Sequence, residues 1–258
     1  MPAILGQIMK LMFEHIRVVL VETSHSGNIG SAARAMKTMG FSQLYLVSPK
    51  LVDEQSIALS AGAEDVVRSA HIVSSFDEAI ADCSLVIGTS ARLRHLQNTL
   101  IEPRRCGEKV ATHKGNVAIV FGRERVGLHN DELLKCHYHL TIPANPDYSS
   151  LNLAMAVQLI CYELRMGLLT KENNVIPFSL IGEINNAENH YATSQEMEYF
   201  FTHTEQVYKS LGFIQNQGVM QKLRRLYLRS NVEKNELNIL RGMLSSVEKQ
   251  LNLPNMDS

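Results

Sequence analysis

Net charge is the first thing this sequence lacks: 25 Lys and Arg stand against 26 Asp and Glu, leaving −1 at neutral pH. No global field therefore draws the chain toward nucleic acid, and any RNA contact must come from local basic patches. Cysteine is also scarce. Cys83, Cys106, Cys136 and Cys161 lie far apart with no C-x-x-C spacing. That excludes a disulfide framework and fits a reducing, cytoplasmic setting. No apolar stretch is long enough to span a bilayer. The start, MPAILGQIMKLMFEH, has neither a basic head nor a small-residue cleavage site, so it does not read as a signal peptide. Two glycine signatures are missing as well. Neither G-x-G-x-x-G nor G-K-[ST] occurs, which counts against dinucleotide and nucleoside-triphosphate enzymes. There is no internal repeat and no low-complexity tract.

What remains is ordinary globular material, 45% hydrophobic and 20% charged. Continuous β-branched runs such as Ile16–Glu22 and Val117–Phe121 have the pattern of buried parallel strands. Further strands are expected at Leu44–Val47, Leu85–Ile87 and His139–Ile142, with a short one at His71–Val73. Helices are expected at Ser31–Met39, Asp53–Val67, Asp77–Ala81, Asp131–Leu134 and Leu151–Leu169. Alternation of the two kinds implies an α/β fold: a parallel sheet with helices on both faces. Residues 170–190 are polar and Asn-rich and read as a linker. Three helices follow, about Ser194–Ser210, Gln217–Arg229 and Glu233–Leu251. The division expected is an N-terminal extension over 1–14, an α/β domain over 15–169, the linker over 170–190, and a small all-helical domain over 191–258.

Five clusters are candidates for chemistry. The turn His25–Arg34 carries Asn28 and Arg34 around an expected helix start, where N–H groups meet anions; a plain tight turn is the competing reading. Phe121–Leu128 runs from a strand into Gly122, then Arg123, Glu124 and Arg125. Ligands bind at such strand ends, although a solvated ion-paired loop has the same composition. Ile142–Asn152 is held extended by two prolines and ends in Ser149, Ser150, Leu151 and Asn152. Ser149 and Ser150 offer N-cap oxygens, one more than capping needs. Cys136-His137-Tyr138-His139 lacks a second pair at zinc spacing, so no metal is expected. Last, Lys222, Arg224, Arg225 and Arg229 form a basic helix face with Tyr227 between them, suited either to RNA phosphates or to plain solvation.

The stretches VETSHSGNIGSAARAMKTMG, VFGRERVGL and PDYSSLNLAMAVQLICYELR, in that order, resemble the three motifs of the SpoU (TrmH-like) branch of the SPOUT RNA methyltransferases. The likeness is nearest to the bacterial group that methylates position 32 of the tRNA anticodon loop. It covers Ile16–Gly167 and touches ELNILRGML near the end. The resemblance implies a C-terminal trefoil knot, S-adenosylmethionine as cofactor, tRNA as substrate and a homodimer with each site near the subunit interface. Neither DNA nor a membrane is implied. Carried over by position, cofactor contacts fall on Thr89, Ser90, Ala91, Gly122, Ile142, Ser149, Ser150 and Leu151. Catalytic positions fall on Asn28, Arg34, Glu124, Ser150 and Asn152. Arg34 is expected to deprotonate the ribose hydroxyl or steady its oxyanion, with Glu124 positioning Arg34 or loop groups. RNA contacts are expected from Arg92, Arg94, Arg104, Arg105 and the Lys222–Arg229 helix. The alternatives are the same methylation on another tRNA position or on ribosomal RNA, and a catalytically silent RNA-binding protein.

Overall fold

A computed structural model describes residues 13–90, 99–173 and 191–251. Its strands are β1 (Ile16–Val21), β2 (Gln43–Val47), β3 (His71–Val73), β4 (Leu85–Thr89), β5 (Thr99–Ile101), β6 (Val117–Phe121) and β7 (Tyr138–Leu140). Its helices are α1 (Ser26–Met39), α2 (Glu54–Ala58), α3 (Glu64–Arg68), α4 (Phe76–Ile80), α5 (Pro103–Thr112), α6 (Asn130–Leu134), α7 (Leu153–Asn173), α8 (Ser194–Ser210), α9 (Gln217–Ser230) and α10 (Lys234–Leu251). The strands form one parallel sheet in the order β3-β2-β1-β6-β4-β7-β5. Late strands are interleaved between early ones: β6 lies between β1 and β4, and β7 between β4 and β5. That order is consistent with a knotted chain end.

Alternation of side chains along each strand feeds two cores. Val18 and Leu20 of β1, with Ile119 and Phe121 of β6, join α1 and α7 on one face. Val19, Val21, Ala118 and Val120 join Phe76, Ile80 and Leu133 on the other. One residue of the β1 run departs from the apolar pattern. Arg17 is buried, bridges Asp82 through two bonds of 2.7 and 2.8 Å, and lies 4.2 Å from the centre of the Tyr45 ring.

Several boundaries move from their expected places. The helix after β1 begins at Ser26 rather than Ser31. Its glycines serve close approach, since a Cβ on Gly30 would sit 2.1 Å from the Ser56 carbonyl oxygen. The single helix expected over Asp53–Val67 is two, split around Gly62 at φ +93°. β5 and α5 had no sequence assignment. α5 starts on Pro103, a favoured first helical position. It packs against α7 backbone to backbone: a Cβ on Gly107 would lie 2.3 Å from the Glu163 oxygen, and one on Gly167 2.4 Å from the Gly107 oxygen. α7 continues through Asn173, so the first residues expected in the linker are helical; the rest of the linker lies outside the described residues. By length and composition Leu153–Thr170 would suffice to cross a membrane. Instead Val157, Ile160, Cys161, Leu164 and Leu168 are buried in the core. Most of the expected N-terminal extension lies outside the described residues, but Phe13 is buried against Phe41, ring centres 4.8 Å apart.

Helices α8–α10 enclose their own core around Phe200, Phe201, Met220 and Leu237. This unit docks at the amino ends of the strands. Ser194 donates from its backbone N (2.8 Å) and Oγ (3.1 Å) to the Cys83 carbonyl, and Gln195 N donates to Ala81 O at 3.1 Å. His113, just before β6, stacks on Tyr191 with ring centres 5.1 Å apart.

Candidate active site

The carboxyl ends of β4, β6 and β7 open into a cleft of about 470 Å³. Such strand ends are where ligands bind in open parallel sheets. Its lining unites three distant segments: His25 and Asn28 from the start of α1, Gly122–Gly127 after β6, and Ser149–Leu153 leading into α7. Thr89, Ser90, Leu140 and Ile142 complete the floor. Ala91 lies outside the described residues.

The loop after β6 is a tight hairpin in which Gly127 N donates to Arg123 O at 2.8 Å. Gly122 has no room for a side chain, since a Cβ would sit 2.2 Å from both Gly127 C and Leu128 N. Arg123 braces the loop. It grips Glu132 through two bonds of 2.9 and 3.0 Å and also donates to Glu22. Hydrogen bonds from Arg123 hold the Glu22 carboxyl below its ordinary range. The two carboxylates consume the Arg123 charge.

Glu124 turns back toward α1. Its carboxylate accepts from Ser24 N (3.1 Å), Ser24 Oγ (2.8 Å), His25 N (3.3 Å) and Asn28 Nδ2 (3.1 Å). Partial burial opposes ionisation, but these donors outweigh it and bring the group down to about 2. A carboxylate that can only accept also dictates how its neighbours are oriented. Asn28 must aim its amide nitrogen at Glu124, so its oxygen accepts from Asn152 Nδ2 at 3.1 Å. Asn152 must then present its own oxygen to Ala154 N, at 2.9 Å, in the first turn of α7. One directed chain of bonds ties the three segments together.

That chain corrects the expected cap. Asn152, not Ser149 or Ser150, caps α7, which begins at Leu153 rather than Leu151. Ser149, Ser150, Leu151 and Asn152 are all exposed along the cleft. The hydroxyls of Ser149 and Ser150 are thereby released from the capping duty expected of them.

The structure does not bring every expected residue here. Arg34 is exposed and does not line the cleft. It lies two turns into α1, and six residues of helix put it about 120° around the axis from Asn28. Glu124 makes no bond to it among the described residues; its partners are loop and α1 groups. Arg92 and Arg94 lie outside the described residues. Arg104 pairs with Glu163 at 2.9 Å and Arg105 with Glu108 at 2.9 Å, both on the surface. Arg224 makes two bonds to Glu198 and lies 4.6 Å from the centre of the Phe201 ring, so it holds α9 to α8. Arg225 is half-buried beside Thr99 and His137. Lys222 and Arg229 are the exposed pair.

The cleft also contains His25, Arg125 and Leu140, to which the motifs assign no role. Only position after a strand pointed to the first two. Its size and mixed lining suit a nucleoside-sized ligand. Apolar Leu140, Ile142, Leu153 and Ala156 can face a base, and Thr89, Ser90 and the two serines can face polar groups. Among the described residues, no group of three or more His, Cys, Asp or Glu has metal-binding geometry.

Comparison with known proteins agrees with this geometry. The profile of the SpoU rRNA methylase family matches residues 15–162, and that of the tRNA methyltransferase TrmJ C-terminal domain matches residues 195–256. A Haemophilus influenzae protein named as an uncharacterized tRNA/rRNA methyltransferase is 70% identical over 96% of this chain and all of its own length. The Yersinia enterocolitica tRNA (cytidine/uridine-2′-O-)-methyltransferase TrmJ is 55% identical over 94% of this chain and 95% of its own. Among solved structures, TrmJ from Z. mobilis aligns with a TM-score of 0.76 at 30% identity, covering 90% of this chain and 98% of that one. On the span of the first profile and the identity to these relatives, the chain is a methyltransferase that belongs to the SpoU family.

Proposed function

We propose that this chain transfers the methyl group of S-adenosylmethionine to the ribose 2′-hydroxyl of the pyrimidine at position 32 in the tRNA anticodon loop. The observation that carries this reading is the Glu124–Asn28–Asn152 chain of hydrogen bonds, which joins the three motif segments around one nucleoside-sized cleft. Likeness along nearly the whole chain to a tRNA (cytidine/uridine-2′-O-)-methyltransferase, C-terminal region included, supports tRNA over ribosomal RNA.

The cofactor fits the cleft as described. Gly122, Ile142 and Ser149–Leu151 would hold it largely through backbone groups, with Thr89 and Ser90 at its polar side. When bound it supplies a methyl carbon on a positively charged sulfur, a leaving group that needs no metal. The chain's own residues then have to orient the ribose, because alignment removes much of the barrier. Asn28 and Asn152 each keep one amide N–H beyond those used in the chain of bonds, and Ser150 keeps its hydroxyl free for the ribose. Arg34 meets the developing oxyanion or the adjacent phosphate. Being outside its own cleft, it acts there through a second copy of the chain, in a homodimer. A cytoplasmic enzyme of this kind needs no disulfides, and the four cysteines are free and buried.

The test is incubation with labelled S-adenosylmethionine and total tRNA, followed by mapping of ribose methylation. Label at position 32 is the expected result; label elsewhere or none rejects the assignment. Arg34→Ala should keep cofactor affinity and lose turnover by about two orders of magnitude or more.

A further inference from the structure

We propose that Arg125 holds a backbone phosphate of the tRNA beside the ribose that is methylated. The inference rests on the reading of the chain as a tRNA ribose methyltransferase and adds a substrate-binding residue to it.

A cleft of about 470 Å³ is the size that a single small ligand fills. With the cofactor inside, the sugar–phosphate backbone of the RNA has to run along the mouth. Its charge is met at the rim, where phosphate contacts fix the register of a nucleic acid on a protein. Each such contact needs a cation that the fold has left uncommitted.

Besides His25, three ionisable side chains line the cleft among the described residues: Arg123, Glu124 and Arg125. Two of them are spent. Glu124 is filled by its donors from Ser24, His25 and Asn28. Arg123 is held between Glu22 and Glu132. Arg125 is exposed and has neither a hydrogen-bond nor an ion-pair partner among the described residues. Glu22, Glu124 and Glu132 also outnumber Arg123 and Arg125, so this wall would repel a polyanion were Arg125 removed.

The fold mounts Arg125 firmly. It sits in the hairpin closed by Gly127 N on Arg123 O at 2.8 Å, and the Arg123 brace fixes the base of that hairpin on Glu132. Its neighbour Val126 is 54% exposed, so the tip faces outward from the sheet. A guanidinium offers a planar fork that matches two phosphate oxygens. Arg34 of a second copy, already assigned to the oxyanion or an adjacent phosphate, does not compete with it. A ribose within a chain has a phosphate on each side, and Arg125 belongs to the subunit that owns the cleft.

The test is ethylation interference. Full-length tRNA ethylated at single phosphates is sorted by binding to the wild-type protein or to Arg125→Gln, each with S-adenosylhomocysteine present. Ethylation on either side of nucleotide 32 should block binding to the wild type. Arg125→Gln should lose the interference at one of these two phosphates and keep it elsewhere. Its tRNA affinity should fall about tenfold, and the slope of log affinity against log salt should fall by about 1. Arg125→Lys should recover the slope and part of the affinity. Cofactor affinity by calorimetry and the dimer in sedimentation should match the wild type. An interference pattern that Arg125→Gln leaves unchanged overturns the proposal. Weakened cofactor binding with that pattern intact overturns it by giving the guanidinium to the cofactor carboxylate, and loss of the dimer overturns it by giving Arg125 to the subunit contact. A wild-type chain that binds tRNA but leaves nucleotide 32 unmethylated overturns the underlying reading instead. Methylation at nucleotide 32 with an unaltered pattern in the variant rejects Arg125 alone.

Discussion

Four donors converge on Glu124, and an ionised carboxylate has about four lone-pair sites to offer. The residue is saturated by the protein itself, so it organises the site rather than moving protons. Glu124→Gln keeps the shape but turns one acceptor into a donor aimed at other donors. The chain of bonds through Asn28 and Asn152 loses its direction, and methylation should fall at least tenfold. Stability carries a pH signature too. The folded-state value of about 2 lies below the ordinary value of 4.5. The contribution is therefore present above the ordinary value and disappears as pH falls through the folded one. The melting-temperature gap between wild type and Glu124→Gln should be widest near neutrality and close between about pH 4.5 and pH 2. A gap that stays constant with pH would remove Glu124 from this role.

At the scale of elements, α7 has two unlike faces. One is buried in the core, and the other exposes Met155 (62%), Leu159 (43%), Tyr162 (45%) and Met166 (39%) at helical spacing. Leu151, itself exposed, lines the cleft just before this helix begins. A stripe of that length on a surface helix marks a contact face, and it is a face that the proposed homodimer would bury. Met155→Glu with Leu159→Glu should give a monomer in sedimentation and abolish methylation while leaving the fold intact by circular dichroism. A dimer that survives both charges would move the interface elsewhere. The inward face was legible in the sequence, because Val157, Ile160, Cys161, Leu164 and Leu168 recur at helical spacing. The start of α1 was not. Gly27 and Gly30 read as a turn, whereas α2 lies where their side chains would be, a long-range fact. β5 and α5 escaped for related reasons: three residues make too short a pattern, and the Gly107–Gly167 contact joins residues 60 positions apart. Gly122 and Glu124 follow directly on the end of β6, which a local pattern shows, whereas Asn28 and Asn152 were picked out by resemblance to the family motifs. The bonds joining Asn28 to Glu124 and Asn152 span 96 and 124 positions, which no local pattern encodes.

Across the whole molecule, the cleft and the C-terminal helices occupy opposite ends of the sheet. Thr89, Gly122 and Ile142 mark one end; Cys83, His113 and His137 mark the other, where α8 and α9 dock. Five-residue strands separate the ends by about 16 Å. The basic face of α9 thus lies at the end of the sheet away from its own chain's cleft. Its four cations divide accordingly. Arg224 is committed to Glu198 and Phe201, and Arg225 is half-buried at the docking surface, whereas Lys222 and Arg229 are exposed. Each phosphate contact contributes about one unit to the slope of log affinity against log salt. Lys222→Gln with Arg229→Gln should therefore weaken tRNA binding, reduce that slope by about 2 and leave the single-turnover rate at saturating tRNA unchanged. Arg224→Gln should act differently, lowering the melting temperature because Glu198 loses its partner. Filter binding across a salt series, with thermal melts of the same variants, separates the two effects. An unchanged salt slope in the Lys222 and Arg229 double variant would reject α9 as an RNA contact and leave its basic face as ordinary solvated surface.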